Sequence, residues 1–247
     1  MIANTQNIKV QLYADGADIK QILVLTNNPL IKGFTTNPSL MRAAGVTDYE
    51  QFARELLHLV PNHPISFEVF ADDLGLMEKQ ALQIATWGKN VYVKIPVTNT
   101  KGESTASIIR RLSNAKIALN VTAILTLQQA QEVADALAVD TPAVVSIFAG
   151  RIADTGVDPI PLMIKAKEIL RSKPKAELLW ASTRELLNIF HAEQSGTDII
   201  TVPYNLLQRL DLIGKDLQEY SLDTVKVFYK DAVEAAFNIN IPADVPA

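Results

Sequence analysis

The chain has 247 residues, 48% of them hydrophobic and 20% charged, with 10 Gly, 12 Pro, no Cys and a formal net charge of −4. This excludes a disordered tail, a collagen-like chain and a disulfide-stapled miniprotein, and it removes thiolate nucleophiles, thiolate metal sites and redox pairs. The mild acidity, spread along the chain, argues against nucleic acid as a partner and gives no reason for an anionic membrane surface.

The longest apolar runs fall short of the roughly 20 residues that span a bilayer. Residues 1–7 carry neither the basic region nor the apolar stretch of a signal peptide. The expectation is a cytoplasmic protein. On that reading the sequon Asn120-Val121-Thr122 is no glycan acceptor, and its two polar side chains need another explanation.

Short β-branched or aromatic runs alternate with longer stretches of helical period, the pattern of βα units. Strands are predicted at 8–14, 32–35 and 64–70. A helical stripe of Leu74, Met77, Ala81, Ile84 and Ala85 leads to a strand at 90–95. Thr105, Ile108, Ile109 and Leu112 mark the next helix, followed by a strand at 116–121. Leu127, Ala130, Ala134 and Leu137 precede a strand at 143–148. Leu162, Ala166, Ile169 and Leu170 precede one at 177–181. A shorter stripe of Leu186, Leu187 and Phe190 leads to the last strand, 198–202. A short helix near 204–211 then precedes an amphipathic stretch with Val225, Phe228, Tyr229, Ala232 and Ala236 on one face, suited either to covering the barrel or to docking on a neighbouring subunit. Eight units without a GxGxxG turn after the first strand, and without a linker, predict an α/β fold: a single (β/α)8 TIM barrel over 1–247, with 212–240 as a C-terminal helical extension.

In a barrel, alternate strand residues point inward, and the C-terminal strand ends carry the active site. One phase holds Gln11, Tyr13 and Asp15 on strand 1; Ser66, Glu68 and Phe70 on strand 3; and Tyr92 with Lys94 on strand 4. Later strands pair Asn120 with Thr122, Ser146 with Phe148, and Trp180 with Ser182. Thr35, Thr36 and Asn37 end strand 2, and Arg151 and Arg184 follow strands 6 and 7. Lys94 stands out, because desolvation among Val91, Val93, Ile95 and Pro96 favours a neutral, nucleophilic amine suited to Schiff-base chemistry. The alternative is a lysine that snorkels to solvent.

Glu68 is placed to shuttle protons, or only to form an ion pair with Lys94. Asp15 is a second candidate base, whereas Asp18 reads as a helix cap. Arg151 and Arg184 suit a phosphate clamp, or else surface pairing of Arg151 with Asp154 and of Arg184 with Glu185 or Asp158. Ser182-Thr183-Arg184-Glu185 also reads as a helix start with Ser182 as N-cap. The three histidines, His58, His63 and His191, share no zinc-binding spacing, and neither His58 nor His63 is expected to be catalytic. Scarce His and absent Cys also disfavour a metal-dependent barrel enzyme.

The segments Gly33-Phe34-Thr35-Thr36-Asn37-Pro38-Ser39, Val93-Lys94-Ile95-Pro96, Asn120-Val121-Thr122, Ser146-Ile147-Phe148-Ala149-Gly150-Arg151-Ile152 with Asp154, and Ala181-Ser182-Thr183-Arg184 resemble the transaldolase family of class I aldolases. Their order and spacing agree over about residues 8–210. The resemblance implies that Lys94 is the Schiff-base lysine, that Asp15 is the base in carbon–carbon cleavage, and that Glu68 with Thr122 holds and uses a catalytic water. It implies that Asn37, Asn120 and Ser146 bind a dihydroxyacetone unit, and that Arg151, Ser182 and Arg184 hold the sugar phosphate.

No cofactor and no metal are implied. The partners are sugar-phosphate substrates and other copies of the chain, since the family forms homo-oligomers, both dimers and decamers. Transaldolases are similar to this chain in carrying Glu at 68 and Phe at 148, where fructose 6-phosphate aldolases carry Gln and Tyr. Phe148 therefore implies transfer, within the pentose phosphate pathway, from sedoheptulose 7-phosphate or fructose 6-phosphate to glyceraldehyde 3-phosphate or erythrose 4-phosphate. The alternatives are an aldolase that releases free dihydroxyacetone and a non-catalytic sugar-phosphate-binding barrel. Departures from the family pattern are Ile147 in place of Pro, Ala149 in place of Val, and Ala14-Asp15-Gly16 in place of LDT or LDS.

Overall fold

The computed structural model describes residues 8–241; residues 1–7, and the ends of the predicted 1–247 domain, lie outside this range. The chain divides into two compact units, a barrel that ends at Leu210 and a second unit that includes the chain from Asp211 onward. The barrel has eight parallel strands: β1 (Gln11–Asp15), β2 (Ile31–Thr35), β3 (Ile65–Glu68), β4 (Val91–Pro96), β5 (Leu119–Ile124), β6 (Ala143–Ile147), β7 (Ala176–Trp180) and β8 (Ile199–Pro203). They pair in sequence order and close with β8 against β1, as predicted for a (β/α)8 barrel. Between them run α1 (Ile19–Thr26), α2 (Pro38–Ala43), α3 (Tyr49–Leu59), α4 (Leu74–Ala85), α5 (Ala106–Asn114), α6 (Leu127–Ala136), α7 (Ala149–Asp154), α8 (Ile160–Ile169), α9 (Leu187–Gln194) and α10 (Tyr204–Leu207).

Five of the ten barrel helices start where the sequence supplies side-chain acceptors for their orphan amides. Asp18 caps α1, Asn37 α2, Asp48 α3 and Asp73 α4, and Thr126 forms a reciprocal capping box with Gln129 at α6. Each strand turns its aliphatic phase outward against these helices. Ile65, Phe67, Val93, Ile95, Leu119, Val121, Val145, Ile147, Leu178, Ile200 and Val202 are all fully buried. Each such side chain contributes roughly 1.5–3 kcal/mol of burial free energy.

Three predicted strands shift by two residues or more at a boundary, each for a hydrogen-bonding reason. The first strand starts at Gln11 rather than residue 8, because the amides of Lys9 and Val10 donate to the Glu193 carboxylate instead of to a ladder. The third ends at Glu68 rather than residue 70, where the amides of Phe70 and Ala71 turn to the Gln80 side chain. The fifth moves from 116–121 to Leu119–Ile124, because residues 116 and 117 close α5. Lys116 adopts φ 65° and the Ile117 amide reaches back to the Leu112 carbonyl. The stripe predicted for α9 also changes: Leu187 is exposed, and Asn188, Ile189 and Ala192 form the buried face.

Inside the barrel, Tyr13, Val144, Leu179, Ala181 and Ile199 form a separate apolar cluster. The Tyr13 ring fills the space left by Gly33, its neighbour on β2, where a Cβ would lie 2.5 Å from the ring. In the second unit, Asp216 caps α11 (Leu217–Glu234) by accepting from the Gln218 and Glu219 amides. Val225, Phe228 and Tyr229, predicted to share a face of this helix, are exposed.

Candidate active site

At the C-terminal ends of the strands lies a cavity of about 290 Å³. All the predicted site residues except Glu68 line it: Asp15, Asn37, Lys94, Asn120, Thr122, Ser146, Phe148, Arg151, Ser182 and Arg184. They arrive from β1, β2, β4, β5, β6 and β7 or the segments just after them, Arg151 from α7. The period-two alternation explains this, since the outward neighbours are the aliphatic residues that pack on the helices.

Lys94 is 6% exposed, and its position is fixed by two contacts. Its Nζ donates to the Thr36 carbonyl at 2.9 Å and lies 3.0 Å from Glu68 Oε2. Glu68 stands beside it in register on β3 and does not itself line the cavity. Asp15, on β1, accepts from Thr35 Oγ1 at 2.8 Å. Burial pushes the Asp15 carboxyl above the usual carboxylate range; the Lys94 charge and the Thr35 bond oppose this, and Glu68 adds to it. A carboxylate with a raised pKa is better matched to accepting a proton near neutral pH.

The amide of Asn120 is oriented from both sides. Its Nδ2 donates to Ser66 Oγ at 2.9 Å, and its Oδ1 accepts from Ser146 Oγ at 2.7 Å. These bonds give the sequon asparagine its structural explanation. The Asn37 Oδ1 caps α2 by accepting from the Leu40 amide, and its Nδ2 has no hydrogen-bond partner among the described residues. The Thr122 hydroxyl is buried and has no hydrogen-bond partner among the described residues. A buried unpaired hydroxyl costs about 1–3 kcal/mol, so this group marks a place for a polar guest.

The corner read from the sequence as a phosphate clamp differs from that reading in several respects. Trp180 does not share the inward phase; Leu179 faces the cavity, and Trp180 is buried in the main core. Ser182 reaches the mouth because its φ of 66° reverses the chain just beyond β7. Ser182 is also not a helix cap: α9 starts at Leu187, and the Asn188 side chain accepts from the Arg184 and Glu185 amides instead. Arg184 pairs with Asp154, not with Glu185 or Asp158. Arg151 lies over the Phe148 ring, 5.5 Å from its centroid.

Sequence reasoning missed Thr183 and Thr201, which also line the cavity. Thr201 had a readable signal, as the lone polar side chain in β8 at the inward phase between Ile199 and Pro203. Thr183 had none, because it follows the reversal at Ser182. His63 packs edge-on against Phe34, and neither it nor His58 lines the cavity. Among the described residues, no helix is long and apolar enough to cross a membrane.

Solved structures support the architecture. A 2,3-dimethylmalate lyase of the PEP mutase/isocitrate lyase superfamily superposes with a TM-score of 0.54 at 12% identity, covering 98% of this chain and 88% of that one. KGPDC from Streptococcus mutans superposes with a TM-score of 0.52 at 13% identity, covering 79% and 87%. Sequence comparison is more specific. A probable transaldolase of Dehalococcoides mccartyi is 34% identical over 202 residues, 81% of this chain and 90% of that protein. One of Clostridium acetobutylicum is 35% identical over 227 residues, 92% and 99% of the two chains. The family profile described as Transaldolase/Fructose-6-phosphate aldolase matches residues 12–244. A closed barrel whose strand ends carry a buried lysine, and a family match over nearly the whole chain, lead to one conclusion: the chain belongs to the transaldolase/fructose-6-phosphate aldolase family.

Proposed function

We propose that the chain is a transaldolase that moves a dihydroxyacetone unit from a ketose phosphate to an aldose phosphate through a Schiff base on Lys94. The observation that carries this reading is the buried Lys94 amine, 3.0 Å from one carboxylate and sharing its cavity with another. Glu68 takes the ammonium proton, the freed lone pair attacks the donor ketone carbon, and water leaves as the imine forms. The protonated imine accepts the electron pair of the C3–C4 bond as it breaks. Asp15 takes the C4 hydroxyl proton, so that the far fragment departs as an aldehyde. The retained unit then adds to the acceptor aldehyde, Asp15 returns the proton, and water held by Glu68 and Thr122 hydrolyses the imine.

Asn37, Asn120 and Ser146 supply donors and acceptors for the hydroxyls of the dihydroxyacetone unit. Arg151, Ser182 and Arg184 take the phosphate; the fork of Arg184 then exchanges Asp154 for the substrate anion. Transfer is favoured over release of free dihydroxyacetone because no tyrosine lines the cavity among the described residues, and the Phe148 ring has no proton to give the carbanion. Sedoheptulose 7-phosphate and fructose 6-phosphate are the proposed donors, glyceraldehyde 3-phosphate and erythrose 4-phosphate the acceptors.

Borohydride reduction in the presence of fructose 6-phosphate tests the mechanism. One three-carbon adduct on Lys94 is expected by peptide mass spectrometry, and an unmodified Lys94 in folded, donor-saturated protein rejects it. Turnover is expected to require an acceptor aldehyde; steady release of dihydroxyacetone without one assigns the chain to the aldolase reaction instead.

A further inference from the structure

Beside the cavity, three side chains from neighbouring strands form a chain of hydrogen bonds. Thr35 Oγ1 lies 2.8 Å from Asp15 Oδ1 and 2.5 Å from Thr201 Oγ1. Both threonines are buried, and neither hydroxyl has another hydrogen-bond partner among the described residues. A threonine hydroxyl carries a single proton. When Thr35 donates to an ionised Asp15, its bond to Thr201 must run the other way, with Thr201 donating. The ladders hold the chain in place: Asp15 pairs with Thr35 across β1 and β2, and Tyr13 with Thr201 across β1 and β8. The Thr183 hydroxyl, by donating to the Thr201 carbonyl at 2.7 Å, ties β8 to the turn after β7.

We propose that Thr201 is a positioning residue for the Asp15 carboxylate and acts through the Thr35 hydroxyl. The inference rests on the reading of Asp15 as the base. Thr201 commits the Thr35 proton to Asp15, and its own dipole strengthens that bond in a low-dielectric interior. When Asp15 takes the substrate proton, both hydroxyls rotate. Asp15 then donates to Thr35, and Thr35 to Thr201, so the carboxyl stays bonded in both protonation states. The charged groups that Asp15 feels are Lys94 on β4 and Glu68 on β3, while β2 and β8 present the two hydroxyls.

The test compares the full-length chain with Thr201→Val, Thr201→Ser and Asp15→Ala. Carboxyl carbon NMR reads the Asp15 titration directly, without substrate. Removing the Thr201 hydroxyl is expected to raise that titration by about half to one pH unit, while serine keeps the parent value. In the transfer reaction the acid limb of kcat/KM moves up by the same interval, a loss of about three- to ten-fold on that limb, with the alkaline plateau retained. A purely structural role would lower the rate equally at every pH.

An Asp15 titration unchanged in folded Thr201→Val, or shifted equally by Thr201→Ser, overturns the inference. If the valine variant does not fold, Thr201→Ala serves the same comparison. Transfer that survives Asp15→Ala overturns the role of Asp15 as base, and the inference about that base with it. The NMR titration separates the two failures, because it reports the hydrogen-bond chain alone.

Discussion

Replacing Gly150 with alanine puts a methyl group into a space already occupied by backbone. An ideal Cβ at this position lies 1.7 Å from the Ser182 carbonyl oxygen and 2.7 Å from its carbonyl carbon. Non-bonded heavy atoms settle near 3.5 Å, so the two segments must separate by about 1.5 Å or more. Neither segment is free to yield. The Gly150 amide donates to the Ala181 carbonyl at 3.2 Å, the Ala181 amide donates to the Ile147 carbonyl at 2.8 Å, and Thr183 is bonded to β8. Overpacking against side chains costs about 1–3 kcal/mol, and a rigid backbone neighbour puts this case near 3 kcal/mol. For a chain of this length that is a fall in Tm of about 6–12 °C. The displaced turn carries Ser182 and Arg184, so KM for a phosphorylated donor is expected to rise more than KM for its unphosphorylated counterpart. Thermal unfolding followed by circular dichroism, with steady-state kinetics on both donors, reads the two effects. Gly16→Ala is the stability control, because a Cβ there meets nothing within 4 Å. A Gly150→Ala variant that melts within about 2 °C of the parent, with both KM values unchanged, refutes the argument.

Phe148→Tyr places a phenol in the cavity. It is expected to increase acceptor-independent release of dihydroxyacetone, assayed by a coupled dehydrogenase, and no increase counts against the role given to the phenyl ring. Glu177, partly buried, accepts from Gln11 Nε2 at 2.8 Å, and its carboxyl is raised above the usual range chiefly by burial. A carboxyl raised on folding contributes stability that is fully present below its unfolded pKa of about 4.3 and is lost as pH rises through the folded value. Glu177→Gln retains an acceptor for Gln11 and removes the buried charge. It is expected to be more stable than the parent in urea at about pH 7, with the difference vanishing near pH 4; equal stability at both pH values would sink this account.

The barrel was legible where one phase of a strand had to be aliphatic. In β4, Val91, Val93 and Ile95 pack outward on helices, which leaves Lys94 no direction but inward. The same logic failed at β7, where an outward position is filled by Trp180 and an inward one by Leu179, so composition gave no sign of the phase. Ser182 reached the predicted cavity for an unpredicted reason, because a left-handed residue cancels the strand alternation and makes parity uninformative beyond it. Capping was readable where the acceptor precedes its helix, as at Asp18. It was not readable at Asn188, whose side chain folds back onto the preceding amides. The strand 5 boundary was hidden because the left-handed cap of α5 is supplied by Lys116, a residue type that does not advertise a helix end.

The tyrosine ring seated over Gly33 divides the barrel interior. With Val144, Leu179 and Ile199 it forms an apolar layer between the groups at the mouth and the Gln11–Glu177 pair nearer the opposite end of the strands. Lys94 and Asp15 both line the cavity on the mouth side of this layer. On the proposed function, a sugar phosphate lodged there would be its own stopper, closing the route by which bulk water reaches the reacting carbon.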